Sequence, residues 1–273
     1  MKLQDILADG IFSDKTVVVT GGGSGINFGI ARAFAELGAN VAICGRTQSK
    51  LEKAAATLKE TGAEVFACVA DVREPEAVDS FLEGTKTALG SAHIVVAGAA
   101  GNFLCLAKDM SPNGFKTVVD IDLIGTFNTA KAAYGQLRET SGSMLMISAA
   151  QAFMPFAFQA HAGAAKAGVE QLMRQLALEW GQDGVRVNAI VPGPVEGTEG
   201  LARLSATSLH KTLIDTIPMG RLGRAEDISA AAVFLASPLA SYTTGTTMIV
   251  DGGQFLSGTG VLNNATASLF NAA

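Results

Sequence analysis

Glycine dominates the segment Thr20–Asn27, where four of the five residues from position 21 to position 25 are glycines. The segment follows the β-branched run Thr16–Thr20 and precedes a helical pattern. Because glycine has no Cβ, this backbone can approach a pyrophosphate closely, and the amide groups at a helix start favour its charge. The loop predicts a dinucleotide-phosphate site, the alternative being a glycine turn that merely links strand to helix.

A cation stands at the end of the second predicted strand, where the chain reads Cys44-Gly45-Arg46-Thr47. A carboxylate at this point would bind both ribose hydroxyls of NAD, whereas a 2′-phosphate requires a cation. Arg46 can pair with a phosphate through its planar guanidinium. The sequence therefore favours NADP(H) over NAD(H), and the alternative for Arg46 is an exposed surface arginine.

Lys166 and Asp122 are charged residues in apolar surroundings. Lys166 is flanked by alanine and glycine alone from position 162 to position 168, near the start of a predicted helix. Asp122 lies among valine, isoleucine and leucine between positions 118 and 124. Since a buried carboxylate needs a partner, we expect a functional role for Lys166 and either a functional or a structural hydrogen-bonding role for Asp122.

Strand-like apolar runs alternate with helical patterns from residue 16 to about residue 250, which predicts a parallel sheet covered on both faces. We expect one doubly wound α/β domain over residues 1–273, with about seven strands and a polar flap at about 196–224 that closes over substrate. The predicted strands are Thr16–Thr20, Asn40–Cys44, Val65–Ala70, Ile94–Ala97, Met144–Ser148, Val185–Val191 and Thr246–Val250. The predicted helices are, roughly, Ile26–Leu37, Gln48–Thr61, Glu74–Leu89, Phe115–Glu139, Gln159–Gln182 and Ala225–Ala236.

From about Asp14 to Ser257 the chain resembles the short-chain dehydrogenase/reductases. The resemblance rests on the Thr-Gly-x-x-x-Gly spacing from Thr20, on Lys166, and on the motifs Arg186-Val187-Asn188, Pro192-Gly193 and Asp251-Gly252-Gly253. It implies a Rossmann-type fold, with Asp71-Val72 contacting adenine and Lys166 holding the nicotinamide ribose. The cofactor-binding residues it implies are Gly21, Gly23, Ser24, Gly25, Ile26, Arg46, Asp71, Val72, Gly98, Lys166, Pro192, Gly193, Val195 and Thr198.

The tyrosine and serine that most members of this family use are missing. Four positions before Lys166, where the tyrosine belongs, the chain has Ala162, and the serine position holds Ala149. Ser148 is one residue away, and strand alternation would turn it to the opposite face. Carbonyl reduction should then be slow, because a forming alkoxide needs a proton donor.

Conjugate reduction avoids that requirement, because hydrogen-bond donors can stabilise an enolate and water can protonate carbon. The chain resembles the 2,4-dienoyl-CoA reductase branch, especially its peroxisomal type, in the segments 99–104, 120–122, 161–168, 192–194, 197–201 and 237–242. In that branch an Asp replaces a helix Asn and works with the Lys, which implies catalytic roles for Asp122 and Lys166. The chain departs from the family pattern at Asn27, where glycine is usual, and at Ala97, where asparagine is expected.

The leading hypothesis is NADPH-dependent reduction of 2,4-dienoyl-CoA to 3-enoyl-CoA, with an acyl-CoA as the substrate. The alternatives are reduction of another enoyl or 3-oxoacyl thioester and a non-catalytic NADP-binding regulator. His161 is expected to be a bystander. The candidate substrate contacts are Arg73, Asn102, Phe103 and Arg203, and the alternatives are solvated charges for the two arginines and core packing for Phe103.

Composition limits the classes of partner. The chain has 20 Lys and Arg against 25 Asp and Glu, so its net charge of −5 argues against nucleic acid. Cys44, Cys68 and Cys105 are far apart in sequence, which predicts free thiols and neither disulfides nor a metal site. No run is long enough to span a membrane, and neither a signal peptide nor a C-terminal Ser-Lys-Leu address is recognised. We therefore expect a cytoplasmic protein.

The family resemblance also implies a homotetramer or dimer, since its members usually pair two long helices and the last strand. Ala130–Ala133 suits close helix packing. Val169, Leu172 and Leu176 lie at helical spacing and form either an interface stripe or part of the core.

Overall fold

The computed structural model describes residues 10–198, 201, 207–261, 266 and 268. Its centre is a seven-stranded sheet in the order β3-β2-β1-β4-β5-β6-β7, and each neighbouring pair of strands is parallel. Because the order reverses between β1 and β4, the carboxyl ends of these strands flank the crevice in which such folds bind ligands. The strands are β1 Thr16–Thr20, β2 Asn40–Gly45, β3 Val65–Val69, β4 Ala92–Ala97, β5 Ser143–Ile147, β6 Arg186–Pro192 and β7 Thr247–Val250.

Helices cover both faces of the sheet. On one face α1 and α8 pack together with α2, and on the other face α3, α5 and α6 pack over the central strands. The predicted doubly wound fold is confirmed. The helices are α1 Gly25–Glu36, α2 Gln48–Lys59, α3 Pro75–Leu89, α4 Pro112–Val119, α5 Gly125–Thr140, α6 Ala160–Trp180, α7 Thr207–Asp215, α8 Ala225–Ala236 and α9 Gln254–Ser257.

The predicted helix over 115–139 differs from the structure in two ways. It begins earlier, at Pro112, where Ser111 caps it by accepting a hydrogen bond from the backbone N–H of Gly114 at 3.0 Å. It is also interrupted by a π-helical turn, Asp120–Ile124, between α4 and α5. An apolar periodicity predicts helix but does not reveal a wider turn within it, so the interruption was missed.

The residues proposed for helix pairing belong mainly to the core. The faces of α5 and α6 that pack on the sheet include the buried residues Ala130, Ala133, Val169 and Leu176, and Leu172 packs against the same cluster. Core burial, the alternative weighed for Val169, Leu172 and Leu176, is therefore correct, and Ala130 and Ala133 are buried as well. The exposed apolar side chains of the long helices are others, notably Phe127 and Leu178.

The three cysteines are free thiols. Cys44 is buried in β2, and burial raises the pKa of its thiol to about 12, so it remains protonated at neutral pH. Cys68 and Cys105 are partly buried. In the described part of the chain, no helix is long and apolar enough to cross a bilayer, and no group of three or more His, Cys, Asp or Glu could hold a metal ion.

Candidate active site

The glycine loop is fixed by its two neighbouring strands. The backbone N–H of Gly21 donates to the carbonyl oxygen of Cys44 at 2.9 Å, and the Thr20 hydroxyl accepts from the N–H of Gly98 at 3.1 Å. Gly25, at the start of α1, has φ +59°, in the left-handed region that glycine adopts without strain. The loop thus brings the first N–H groups of α1, which have no partners within the helix, to the carboxyl end of the sheet.

Asn27 stands where the family usually has glycine, and its side chain reaches the end of β4. Its Nδ2 donates to the carbonyl oxygen of Gly98 at 2.7 Å. A Cβ on Gly98 would lie only 2.1 Å from Asn27 Oδ1. The observed position of the Asn27 side chain therefore requires glycine at position 98.

Asp71 and Arg73 form an ion pair after β3, with Arg73 Nη2 2.6 Å from Asp71 Oδ2. The hydrogen bonds from Arg73 lower the pKa of Asp71, and the positive charge of Arg46 acts in the same direction. Arg46 is exposed at the end of β2. The two arginines and the carboxylate thus form one charged cluster at the second and third strand ends.

The π-helical turn holds Asp122 deep in the fold, where it is 1% exposed. Its Oδ1 accepts from the backbone N–H of Gly101 at 2.7 Å, and its Oδ2 lies 3.4 Å from Lys166 Nζ. Lys166 Nζ also donates to the carbonyl oxygen of Ile147 at 2.8 Å. The buried charges are therefore paired and hydrogen-bonded, as buried charges must be.

One face of α6 lines the site. Ala162, at the position where the resemblance expects tyrosine, and Lys166 one turn later both line the cavity. Ser148 and Ala149 line it as well, and the Ser148 hydroxyl is buried, so the expectation that strand alternation turns Ser148 away stays a prediction.

Three side-chain amides meet beside this face. Asn102 Nδ2 and Gln151 Nε2 both donate to Gln159 Oε1, at 2.6 and 2.9 Å. Sequence reasoning missed Gln151 and Gln159. A signal was available for Gln159, which precedes Lys166 by seven residues, or about two helical turns, and so shares its face of the helix.

His161, expected to be a bystander, is fully buried and does not line the cavity. Its ring packs edge-to-face on Phe103, with the centroids 4.3 Å apart. Burial lowers the pKa of His161, which favours the neutral imidazole. Phe103 likewise packs beside the cavity and is not among its lining residues.

The glycine loop, the charged strand ends and the Asp122–Lys166 pair surround one cavity of ≈ 470 Å³. Every residue predicted to bind cofactor lines it, as do Asp122 and Asn102. Arg73 is not among the lining residues, and Arg203 lies outside the described part of the chain. Lining residues that the sequence did not single out include Thr47, Lys50, Phe156, Leu201, Leu213 and Gln254.

These groups fit a nicotinamide dinucleotide. The volume is in the usual range for small-molecule sites, about 300–1,000 Å³. A helix N-terminus and glycines suit a pyrophosphate, and Arg46 provides a cation at the second strand end. The buried Lys166 lines the same cavity.

Comparison with known families and proteins agrees with this geometry. Residues 21–254 match the family model described as enoyl-(acyl carrier protein) reductase. The chain is 43% identical to the peroxisomal 2,4-dienoyl-CoA reductase of Saccharomyces cerevisiae, over 91% of this chain and 87% of that protein. It is 40% identical to the peroxisomal 2,4-dienoyl-CoA reductase of Danio rerio, over 93% of this chain and 86% of that protein.

A solved structure is similar as well. It is an NADPH-bound short-chain oxidoreductase from Pseudomonas aeruginosa PAO1, described as containing an atypical catalytic center. The TM-score is 0.83 at 32% identity, covering 89% of this chain and 97% of that one.

One expectation from the sequence is wrong. We expected a cytoplasmic protein, but the yeast and zebrafish relatives are both named peroxisomal, which points to the peroxisome instead. The chain belongs to the short-chain dehydrogenase/reductase family, as an oxidoreductase that binds a nicotinamide nucleotide and resembles the 2,4-dienoyl-CoA reductases.

Proposed function

We propose that this protein reduces 2,4-dienoyl-CoA thioesters to 3-enoyl-CoA with NADPH. The observation that carries the proposal is the buried Asp122–Lys166 pair, which lines the cavity beside Ala162. A site with a paired acid and base but alanine in place of the phenol is suited to protonating carbon through water. It is poorly suited to protonating an alkoxide.

NADPH is preferred to NADH in this proposal because of Arg46. The guanidinium lines the cavity at the end of β2, where NAD enzymes place a carboxylate. The similar Pseudomonas aeruginosa structure is NADPH-bound, which supports the same choice. Bound NADPH supplies a hydride.

Reduction of the dienoyl group then proceeds as a conjugate addition. When hydride reaches the δ-carbon, the electrons of the C4–C5 double bond form a C3–C4 double bond, and those of C2–C3 form an enolate on the thioester. Asp122 and Lys166 hold the water that gives a proton to the α-carbon. The product is the 3-enoyl thioester, with one hydride and one proton added.

The substrate contacts remain proposals. Asn102 lines the cavity and is assigned to the thioester end of the substrate site. Phe103 packs on His161 beside the cavity and does not line it, so its assignment to the acyl site rests on the resemblance alone. Arg73 and Arg203 are assigned to the phosphates of coenzyme A, because a planar guanidinium can donate two parallel hydrogen bonds to one phosphate. We also assign the chain to a single domain over residues 1–273, with a lid at about 196–224, of which residues 199–200 and 202–206 lie outside the described part of the chain.

The direct test is NADPH oxidation by the purified protein with a 2,4-dienoyl-CoA, with a 3-oxoacyl-CoA as the control substrate. We expect NADPH oxidation with the dienoyl-CoA and none with the 3-oxoacyl-CoA. In deuterium oxide, the label should appear at the α-carbon of the 3-enoyl product. An alcohol formed from the 3-oxoacyl-CoA, or NADPH binding without turnover of either thioester, would contradict the proposal.

A further inference from the structure

Gln159 is nine-tenths buried, being 4% exposed, yet it lines the cavity. Both amide groups beside it, those of Asn102 and Gln151, donate to its Oε1. Two donors on one oxygen fix the orientation of the amide plane. The nitrogen end, Nε2, is therefore turned from the two donors, and it donates no hydrogen bond to any residue in the described part of the chain.

The position of Gln159 is close to the missing phenol. It is the residue directly before α6, three residues before Ala162 and seven before Lys166. All three residues line the same cavity. The amide N–H groups therefore enter the cavity about one turn from the position where the family keeps its usual hydroxyl donor.

We propose that Gln159 is a catalytic residue whose Nε2 donates a hydrogen bond to the thioester carbonyl oxygen and stabilises the enolate. This rests on the proposed function, which requires a donor for that oxygen. A buried, oriented donor is effective because it needs no reorganisation when the charge develops on the oxygen. Asn102 and Gln151 are the positioning residues, since they hold Gln159 with its nitrogen toward the substrate.

Two substitutions of Gln159 separate donation from packing. Gln159→Met retains the length of the side chain and removes both hydrogen-bonding ends. Gln159→Glu retains an oxygen for Asn102 and Gln151 but removes the donor. Both should lower kcat by about 10²-fold or more, as loss of one oxyanion donor does. The dissociation constant of NADPH should stay within about twofold, because this donor acts on the substrate.

Asn102→Asp tests the orientation itself. A carboxylate at position 102 can only accept, so it should pull Nε2 of Gln159 toward itself and leave Oε1 facing the substrate. We expect a loss of kcat as large as in Gln159→Met. Gln171→Met is the matched control, because Gln171 is exposed on the same helix, and its kcat should be unchanged.

A vibrational spectrum provides a readout other than turnover. With 2,4-dienoyl-CoA bound beside NADP⁺, the thioester carbonyl stretch should shift to lower frequency in the wild-type protein. It should return toward its value in free substrate in Gln159→Met. A full shift and a kcat within about twofold of wild type in Gln159→Met would overturn the assignment. A wild-type protein that does not turn over dienoyl-CoA would instead overturn the proposed function.

Discussion

Asn27 donates a hydrogen bond to the carbonyl oxygen of Gly98 over 2.7 Å and so joins the phosphate loop to the end of β4. The chain departs from its family at Asn27, and the absence of a side chain at position 98 makes room for the asparagine. This hydrogen bond accounts for how the phosphate loop accommodates an asparagine at the position where the family usually has glycine. Its strength can be measured.

We predict that Gly98→Ala destabilises the protein, because the new Cβ would lie 2.1 Å from Asn27 Oδ1. Overpacking of this kind costs about 1–3 kcal/mol. Asn27→Gly in the same chain should recover much of that loss, as neighbouring substitutions are not additive. Denaturant unfolding of the two single variants and the double variant measures the coupling. Purely additive effects would show that the two residues are independent.

Cofactor selection should depend on Arg46. Arg46→Asp should lower kcat/KM for NADPH by about 30-fold or more, equivalent to roughly 2 kcal/mol for one charge pair. It should affect NADH much less. Arg32→Asp, on the exposed side of α1, is the control and should leave both values unchanged. Equal losses for both nucleotides in Arg46→Asp would count against the role of Arg46.

The catalytic pair should behave as one unit. Lys166→Ala and Asp122→Ala should each lower kcat by about 10²-fold or more, and the double variant should lose little beyond the worse single one. Asp122→Ala leaves Lys166 as an unpaired buried charge, which destabilises the fold. Asp122→Asn is the companion variant, because its side-chain oxygen can still accept from the backbone N–H of Gly101. Steady-state rates with dienoyl-CoA measure the effects. Retained activity in Lys166→Ala would exclude the mechanism.

Restoring the phenol should not help. Ala162→Tyr returns the usual family residue to α6, yet the proton needed at the α-carbon does not pass through that position. We therefore expect no gain in the rate of dienoyl-CoA reduction. A rate above wild type would show that the phenol position still governs this reaction.

Stability should fall in mild acid partly because of His161. Burial lowers the pKa of His161, while an unfolded histidine titrates near about 6.5. As the pH falls below that value, the unfolded state binds a proton that the folded state excludes, so stability decreases. His161→Asn should reduce the drop in Tm between about pH 7.5 and about pH 5.5. The exposed His210 supplies the control, His210→Asn, and an identical pH dependence in all three proteins would contradict the prediction.

Self-association should use the exposed apolar side chains of the long helices. Phe127 on α5 is 44% exposed and Leu178 on α6 is 75% exposed. We predict a homotetramer, with light scattering giving about four times the chain mass of 28.0 kDa. Leu178→Glu should lower that mass, whereas Ala56→Glu on the exposed side of α2 should not. A wild-type mass near 28.0 kDa would show that the protein is monomeric.

The sequence predicted the sheet and the loop end of the cavity well, for local physical reasons. A run rich in β-branched residues, such as Thr16–Thr20, favours a strand over a helix. The glycines that follow it, before a helical pattern, place the phosphate loop at the end of that strand. Arg46 and Lys166 stood out as charges in specific local settings. Each of these signals lies within a few residues of the feature it predicts.

The rest depends on contacts between distant segments. The amide cluster joins Asn102 to Gln159, 57 residues away, and no local pattern relates the two. The ion pair between Arg73 and Asp71 is an exception, because the two residues are only two positions apart and we considered Arg73 without its neighbour.

The π-helical turn at Asp120–Ile124 makes the exact number of residues in this segment part of the site. Such a turn closes its hydrogen bonds over one more residue than an α-helix does, as if one residue had been inserted. Deleting one residue there would rotate the preceding helix by about 100° relative to α5 and part Asp122 from Lys166. The length of this segment is therefore as necessary to the Asp122–Lys166 pair as the two charged side chains themselves.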